Sequence, residues 1–212
     1  MSKYSLTLEN FKDYQKENLL ILDTRKNEDF ALGFIPKSIN IELKRGFKAI
    51  SKHFLLKDQA LLIIASKGQE EKAIIDLRNF GFTNIKGYLK GGFESWRKNK
   101  LQIDIVISIN PEELYLEKKH GKLFLIDIRP KNIYEKSQIE GSQNIDTKFL
   151  INNYQNIEDE VTNCIYCHNG SLSLALISYL KRAGKHNIYH VSNGFNGILK
   201  NKKLSEMISS NK

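Results

Sequence analysis

Two cysteines stand three residues apart in the stretch CIYCHNGSLS, residues 164–173, and they are the only two in a chain of 212. A thiol pair at this spacing can be a disulfide redox couple, half of a zinc site, or one nucleophilic sulfur beside an inert one. The run TNCIYC reads as a buried strand with Cys167 at its end. Strand residues three apart point to opposite faces and lie ~10 Å apart, beyond the ~7 Å reach of a disulfide. A zinc site would need two more soft ligands; His168 is adjacent, but no second pair with ligand spacing follows. Cys164 is therefore expected as a small buried apolar residue and Cys167 as the nucleophile, with no metal at this site.

After Cys167 come His168, Asn169, Gly170, Ser171, Leu172 and Ser173, and then a helix pattern. A sulfur at such a junction faces backbone N–H groups and the positive end of a helix, which together favour a thiolate. Gly170 allows a sharp turn around it. His168, a lone histidine in a polar loop, is more often a bystander than a participant. His190 and Trp96 read as packing residues, His53 and His120 as solvated, and His186, just beyond Gly184, as a helix-end cation.

The elements that must hold this loop occur twice. Asp23, Arg25, Phe30, Ile35, Ser38, Asn40 and Ile41 recur as Asp127, Arg129, Tyr134, Ile139, Ser142, Asn144 and Ile145, each displaced by 104 residues. LLIIASKG answers NCIYCHNG, and GGF at 91–93 answers NGF at 193–195, both displaced by 102. Chance does not keep register over most of each half, so the chain reads as two copies of one domain, residues 1–102 and 103–212, joined through the polar KNKLQID. In the second copy IDIVISI, KLFLIDI, TNCIYC and HNIYHV read as strands. A helix after Asn110 and Pro111 runs to a stop at Gly121, and SLSLALISYLKRAG reads as a buried helix ending at Gly184. The first copy gives YSL, a helix from about Leu8, then LLILDT, ALLIIA, QEEKAIIDLRNFG and NIKGYL. Alternating strands and helices predict an α/β fold, each domain a mostly parallel sheet with helices on both faces and its function in loops at the strands' carboxyl ends.

Composition narrows the partners. The formal charge is +9, with the surplus concentrated in the first half. It suits anionic small molecules or an acidic partner, yet no block of consecutive basic residues and no zinc-finger or RNP-type motif accompanies it, so a Lys-rich solvated surface is expected and no nucleic acid. No apolar run nears the ~18 residues of a membrane span, and MSKYSLTLENF lacks the apolar core of a signal peptide. Two cysteines make no disulfide framework, which with the missing signal suggests a reducing, cytoplasmic setting.

The Asp-x-Arg after a buried strand, the ALGFIPKSINI segment, the strand-end loop opening on cysteine and the closing GYLKGGFESW motif resemble the rhodanese (sulfurtransferase) superfamily, and the resemblance covers both copies. It implies two rhodanese-like domains, the first degenerate, with Cys167 carrying a persulfide between a small anionic sulfur donor and a thiol acceptor, and no cofactor. The family loop is Cys-x-x-Gly-x-Arg-Ser. Cys167, Gly170 and Ser173 match it, while Leu172 stands where the arginine belongs. The first copy reads Ala65, Ser66, Lys67, Gly68, Gln69, Glu70 and Glu71 there, with neither nucleophile nor arginine. Asp127 and Arg129, like Asp23 and Arg25, match the family's structural pair. The first copy is also similar to the rhodanese regions attached to metallo-β-lactamase-fold persulfide dioxygenases, which implies such an enzyme as a partner and leaves a non-catalytic docking or regulatory module as the alternative function. A related phosphatase or arsenate-reductase chemistry would need a longer loop and the arginine that Leu172 replaces.

Overall fold

The computed structural model describes residues 2–120 and 123–209 and divides into two compact units, Met1–Ile105 and Val106–Lys212. The first unit runs β1 (Ser5–Leu6), α1 (Leu8–Lys16), β2 (Leu20–Asp23), α2 (Asn27–Leu32), β3 (Ile39–Asn40), α3 (Phe47–Phe54), β4 (Leu61–Ile64), α4 (Glu70–Asn79), β5 (Ile85–Leu89) and α5 (Gly92–Lys98). Its five strands form one parallel sheet in the order β1-β5-β4-β2-β3.

The second unit repeats the plan. It runs β6 (Ser108–Ile109), α6 (Pro111–His120), β7 (Leu123–Asp127), α7 (Lys131–Tyr134), β8 (Gln138–Ile139), β9 (Gln143–Asn144), α8 (Thr147–Asn152), β10 (Thr162–Tyr166), α9 (Ser171–Arg182), β11 (Ile188–Val191), α10 (Gly194–Leu199), α11 (Lys202–Ser205) and β12 (Ile208–Ser209). Its parallel sheet is ordered β6-β11-β10-β7-β9, and β12 pairs antiparallel with β8 beside it. Each unit is an α/β domain of the expected class.

Local chemistry explains the element ends. Asn110 caps α6: its Oδ1 accepts from the Glu112 and Glu113 amides at 2.8 and 3.0 Å, and the Glu113 carboxylate accepts from the Asn110 amide at 2.7 Å, a capping box. Gly121, read as its stop, lies outside the described residues. The central strands are apolar at successive positions because both faces are covered: Leu61, Leu62, Ile63 and Ile64 of β4 are all buried, as are Cys164, Ile165 and Tyr166 of β10. On one face of the second sheet, Leu125, Cys164, Tyr166 and Val191 pack with Leu114 of α6, Phe195 and Ile198 of α10 and Leu204 of α11. The stretch IDIVISI is strand only at Ser108–Ile109. Ile103, Ile105 and Ile107 alternate as a strand would, yet are 42, 50 and 46% exposed. No helix among the described residues is long and apolar enough to cross a membrane.

The repeated polar residues make the same bonds twice. Asp127, fully buried, accepts from the Arg129 backbone amide at 2.8 Å and from the Arg129 Nε and Nη2 at 2.6–3.0 Å; Nη2 also donates to the Ser137 carbonyl. Asp23 and Arg25 repeat this with the Gly33 carbonyl. Asn144 donates to the Asp127 and Arg129 carbonyls, and Asn40 to those of Asp23 and Arg25. Ser142 and Ser38 each return a hydroxyl to the isoleucine three residues back. Each guanidinium lies over the phenylalanine of the closing motif, Arg129 at 3.5 Å from the Phe195 centroid and Arg25 at 4.3 Å from Phe93. This network ties the ends of β2 and β7 to β3 and β9 and to the first turns of α5 and α10.

Candidate active site

Strand β10 ends at Tyr166, and Cys167 begins the turn into α9. Both cysteines are buried. Cys164 sits in the apolar cluster with Leu125 and Tyr166, and burial pushes its thiol up to about 12, with the Glu117 charge adding to it. It stays a protonated packing group at neutral pH. Between about pH 9 and 12 only the unfolded chain would release that proton, so this group costs stability as pH rises through the window. Iodoacetamide at pH 8 should therefore modify Cys167 in the native protein and both cysteines in denaturant, as counted by intact mass. Native double labelling would contradict the burial of Cys164.

Cys167 is itself only 3% exposed. Its sulfur accepts from the Ser173 backbone N–H and from the Ser173 hydroxyl, each at 3.4 Å. Gly170 is the residue before α9 and has no side chain to cap it; the sulfur reaches the third helical amide in place of a cap. The helix is twelve residues long, so its positive end lies against the sulfur. A ring of amides was expected around the sulfur. In this structure one amide and one hydroxyl of the same residue touch it, and the Ser171 amide donates instead to Asn169 Oδ1 at 3.2 Å.

The rest of the loop sorts by exposure. His168 and Asn169 are exposed, Leu172 is half-buried, and Gly170, Ser171 and Ser173 are buried. Gly170 takes φ +87°, where a side chain would be strained. The loop docks on the first turn of α10: Phe195 N–H donates to the Cys167 carbonyl at 2.8 Å and Asn196 N–H to that of His168 at 3.0 Å. Gly194 makes this approach feasible. A Cβ there would lie 2.3 Å from the Cys167 carbonyl oxygen and 2.8 Å from the Gly170 nitrogen. Sequence motif alone marked NGF; its backbone contact with the cysteine loop explains the glycine.

His190, read from sequence as packing, does more than fill space. It is 4% exposed, its Nε2 lies 3.0 Å from the Gly170 carbonyl oxygen, and its Nδ1 lies 2.9 Å from Ser108 Oγ. The partners stand 20 and 82 residues away, so only the register pairing His190 with Ser108 brings them together.

The first unit keeps the backbone of the loop with different side chains. Ala65 is buried at the end of β4, Gly68 takes φ +79°, and Gly92 is pressed against the Ala65 carbonyl, 2.9 Å from where its Cβ would be. Glu71 stands where Ser173 does, and Glu70 and Glu71 supply negative charge to the first turn of α4. Ser66, Lys67, Gly68 and Gln69 complete that loop; Lys67, Gly68 and Gln69 are exposed. A cleft of 820 Å³ opens over it, lined by Arg25, Ala65, Lys67, Phe93 and Arg97 among others.

A family profile described as "Rhodanese-like domain" matches residues 7–99 and again residues 110–201. Over 91 residues the chain is 34% identical to "Thiosulfate sulfurtransferase 16, chloroplastic" of Arabidopsis thaliana, covering 38% of this chain and 75% of that protein. Over 87 residues it is 25% identical to "Thiosulfate sulfurtransferase GlpE" of Pseudomonas entomophila, covering 41% of this chain and 79% of that protein. Among solved structures, the thiosulfate sulfurtransferase from Pseudomonas aeruginosa aligns over 98% of this chain and 44% of its own, at 17% identity and a TM-score of 0.43. This chain thus spans less than half of that structure's length.

Proposed function

Because the chain belongs to the rhodanese-like domain family, we propose that it is a sulfurtransferase whose second unit carries sulfane sulfur on Cys167. The Cys167 thiolate attacks the outer sulfur of thiosulfate or of a small persulfide. A new S–S bond forms at Sγ as the donor's S–S bond breaks, and sulfite or the donor thiolate leaves with the electron pair. The persulfide then lies at the positive end of α9, beside the Ser173 amide and hydroxyl. An acceptor thiolate attacks that outer sulfur and Cys167 departs as thiolate, with no net change in the protein.

The observation that carries this reading is the Cys167 sulfur held at 3.4 Å by the amide and hydroxyl of Ser173, at the positive end of a twelve-residue helix. Incubation with thiosulfate, and separately with glutathione persulfide, should add ~32 Da to Cys167, located by peptide mass spectrometry. No adduct from either donor would overturn it.

Leu172 bears on the donor. It occupies the second position of α9, where a guanidinium would meet a sulfonate through a two-pronged hydrogen bond. Leu172→Arg should lower KM for thiosulfate about tenfold and leave the KM for a neutral-ended persulfide within about twofold, by steady-state kinetics. Equal effects on both donors would refute a sulfonate-specific role for this position.

A second role falls to the first unit. Ala65 removes the nucleophile and the acids at the start of α4 already occupy its helix end, which favours docking or regulation over catalysis. The partner is a persulfide-oxidising enzyme of metallo-β-lactamase fold, and the setting is the reducing cytoplasm, in keeping with two free thiols. Co-elution of the purified pair on gel filtration tests the partnership.

A further inference from the structure

The Gly170 carbonyl lies within hydrogen-bond reach of three donors: Leu174 N–H, which closes the first turn of α9, His190 Nε2 and Ser173 Oγ, all at 3.0 Å. A carbonyl oxygen has two lone pairs. The Ser173 hydroxyl has one proton and a second acceptor, the Cys167 sulfur at 3.4 Å. With Leu174 and His190 both donating to Gly170, the Ser173 proton is left for the sulfur. Without His190 it turns to the closer carbonyl.

The ring has the arrangement this requires. A carbonyl accepts only, so Nε2 carries the hydrogen, and Nδ1 faces the Ser108 hydroxyl across the β6–β11 pairing. The first unit provides a natural contrast. There Ala65, Glu71 and Tyr88 replace Cys167, Ser173 and His190, and the Tyr88 hydroxyl donates to Glu71 at 3.1 Å. The nucleophile, its hydroxyl donor and the ring behind them are exchanged as a set.

We propose that His190 is a positioning residue of the cysteine loop: by occupying the Gly170 carbonyl it directs the Ser173 hydroxyl proton onto the Cys167 sulfur. The inference refines the sulfurtransferase reading and rests on it for its biological meaning, but its test needs no sulfur donor. The rate of native Cys167 alkylation by iodoacetamide, followed by peptide mass spectrometry, reports the sulfur directly. His190→Phe and His190→Asn remove the donor to Gly170 and should each slow alkylation about tenfold, the scale of one hydrogen bond to a charged group. His190→Gln returns an N–H near the Nε2 position and should recover the rate to within about threefold. Ser173→Ala should slow alkylation as much, and adding His190→Asn to it should slow it no further. A thermal melt of each variant identifies those that do not fold; His190→Asn serves should His190→Phe fail. Independent, multiplicative effects of the two substitutions, or Asn and Gln variants that behave alike, would overturn the proposal. A wild-type protein that accepts no sulfur from any donor would sink the sulfurtransferase reading and leave this cycle measurable.

Discussion

Cys167→Ala lowers sulfur transfer from thiosulfate to a thiol acceptor by about a thousandfold or more and abolishes the ~32 Da adduct, because removal of the nucleophile leaves no covalent route. The chain holds one other cysteine, and it is no substitute. Cys164 faces the opposite side of β10 in an apolar cluster, with its thiol held protonated. The first unit has Ala65 at the equivalent place. Cys167→Ser is the sharper control: its hydroxyl can still accept from the Ser173 amide, so the loop keeps its cap, yet a bare serine has no activated oxygen. The serine variant should melt within a degree or two of the parent and transfer no sulfur. Residual transfer above one per cent in either variant, with the sulfur found elsewhere on the chain, would transfer the chemistry to another residue.

Asp127→Ala should cost the second unit about 3–5 kcal/mol, since it leaves the Arg129 guanidinium buried without its counter-charge. Both side chains are almost wholly withdrawn from water, at 2% exposure for Arg129 and 0% for Asp127, and the pair is bonded through two nitrogens. Replacing both partners with apolar residues, Asp127→Leu with Arg129→Met, should recover most of the loss, because the penalty comes from the orphaned charge. The single tryptophan separates the two halves in a urea titration. Trp96 packs in the first unit with Phe11 and Leu89, so its fluorescence reports that unit while far-ultraviolet circular dichroism reports both. Asp127→Ala should shift the dichroism midpoint and leave the tryptophan midpoint unchanged; Asp23→Ala should move the tryptophan midpoint. Parallel shifts in both probes for both variants would mean that the halves unfold as one unit.

The repeat made the architecture legible before any coordinates, since Asp23/Asp127, Arg25/Arg129 and Asn40/Asn144 keep register and then make matching bonds. Long strands and α9 were readable because burial on both faces writes continuous apolar runs. The two-residue strands β3 and β9 were not, being shorter than any periodicity. IDIVISI misled because its isoleucines alternate as in a strand, although only Ser108–Ile109 finds a partner in the sheet. At the candidate site, Cys167 and Gly170 are the residues that sequence singles out by type and position. The Ser173 hydroxyl bond to the sulfur and the His190 contact were invisible for a physical reason: both depend on distances set by helix winding and strand register.

The contact of Gly194 with the Cys167 carbonyl, repeated by Gly92 at Ala65, separates two kinds of evolutionary freedom after a duplication. The side chain at the end of the central strand can change, cysteine in one unit and alanine in the other, while the turn keeps its shape. The glycine is wedged beneath the main chain, so its replacement would strain both units alike. Selection for folding alone therefore preserves the shape of this turn whatever side chain it carries.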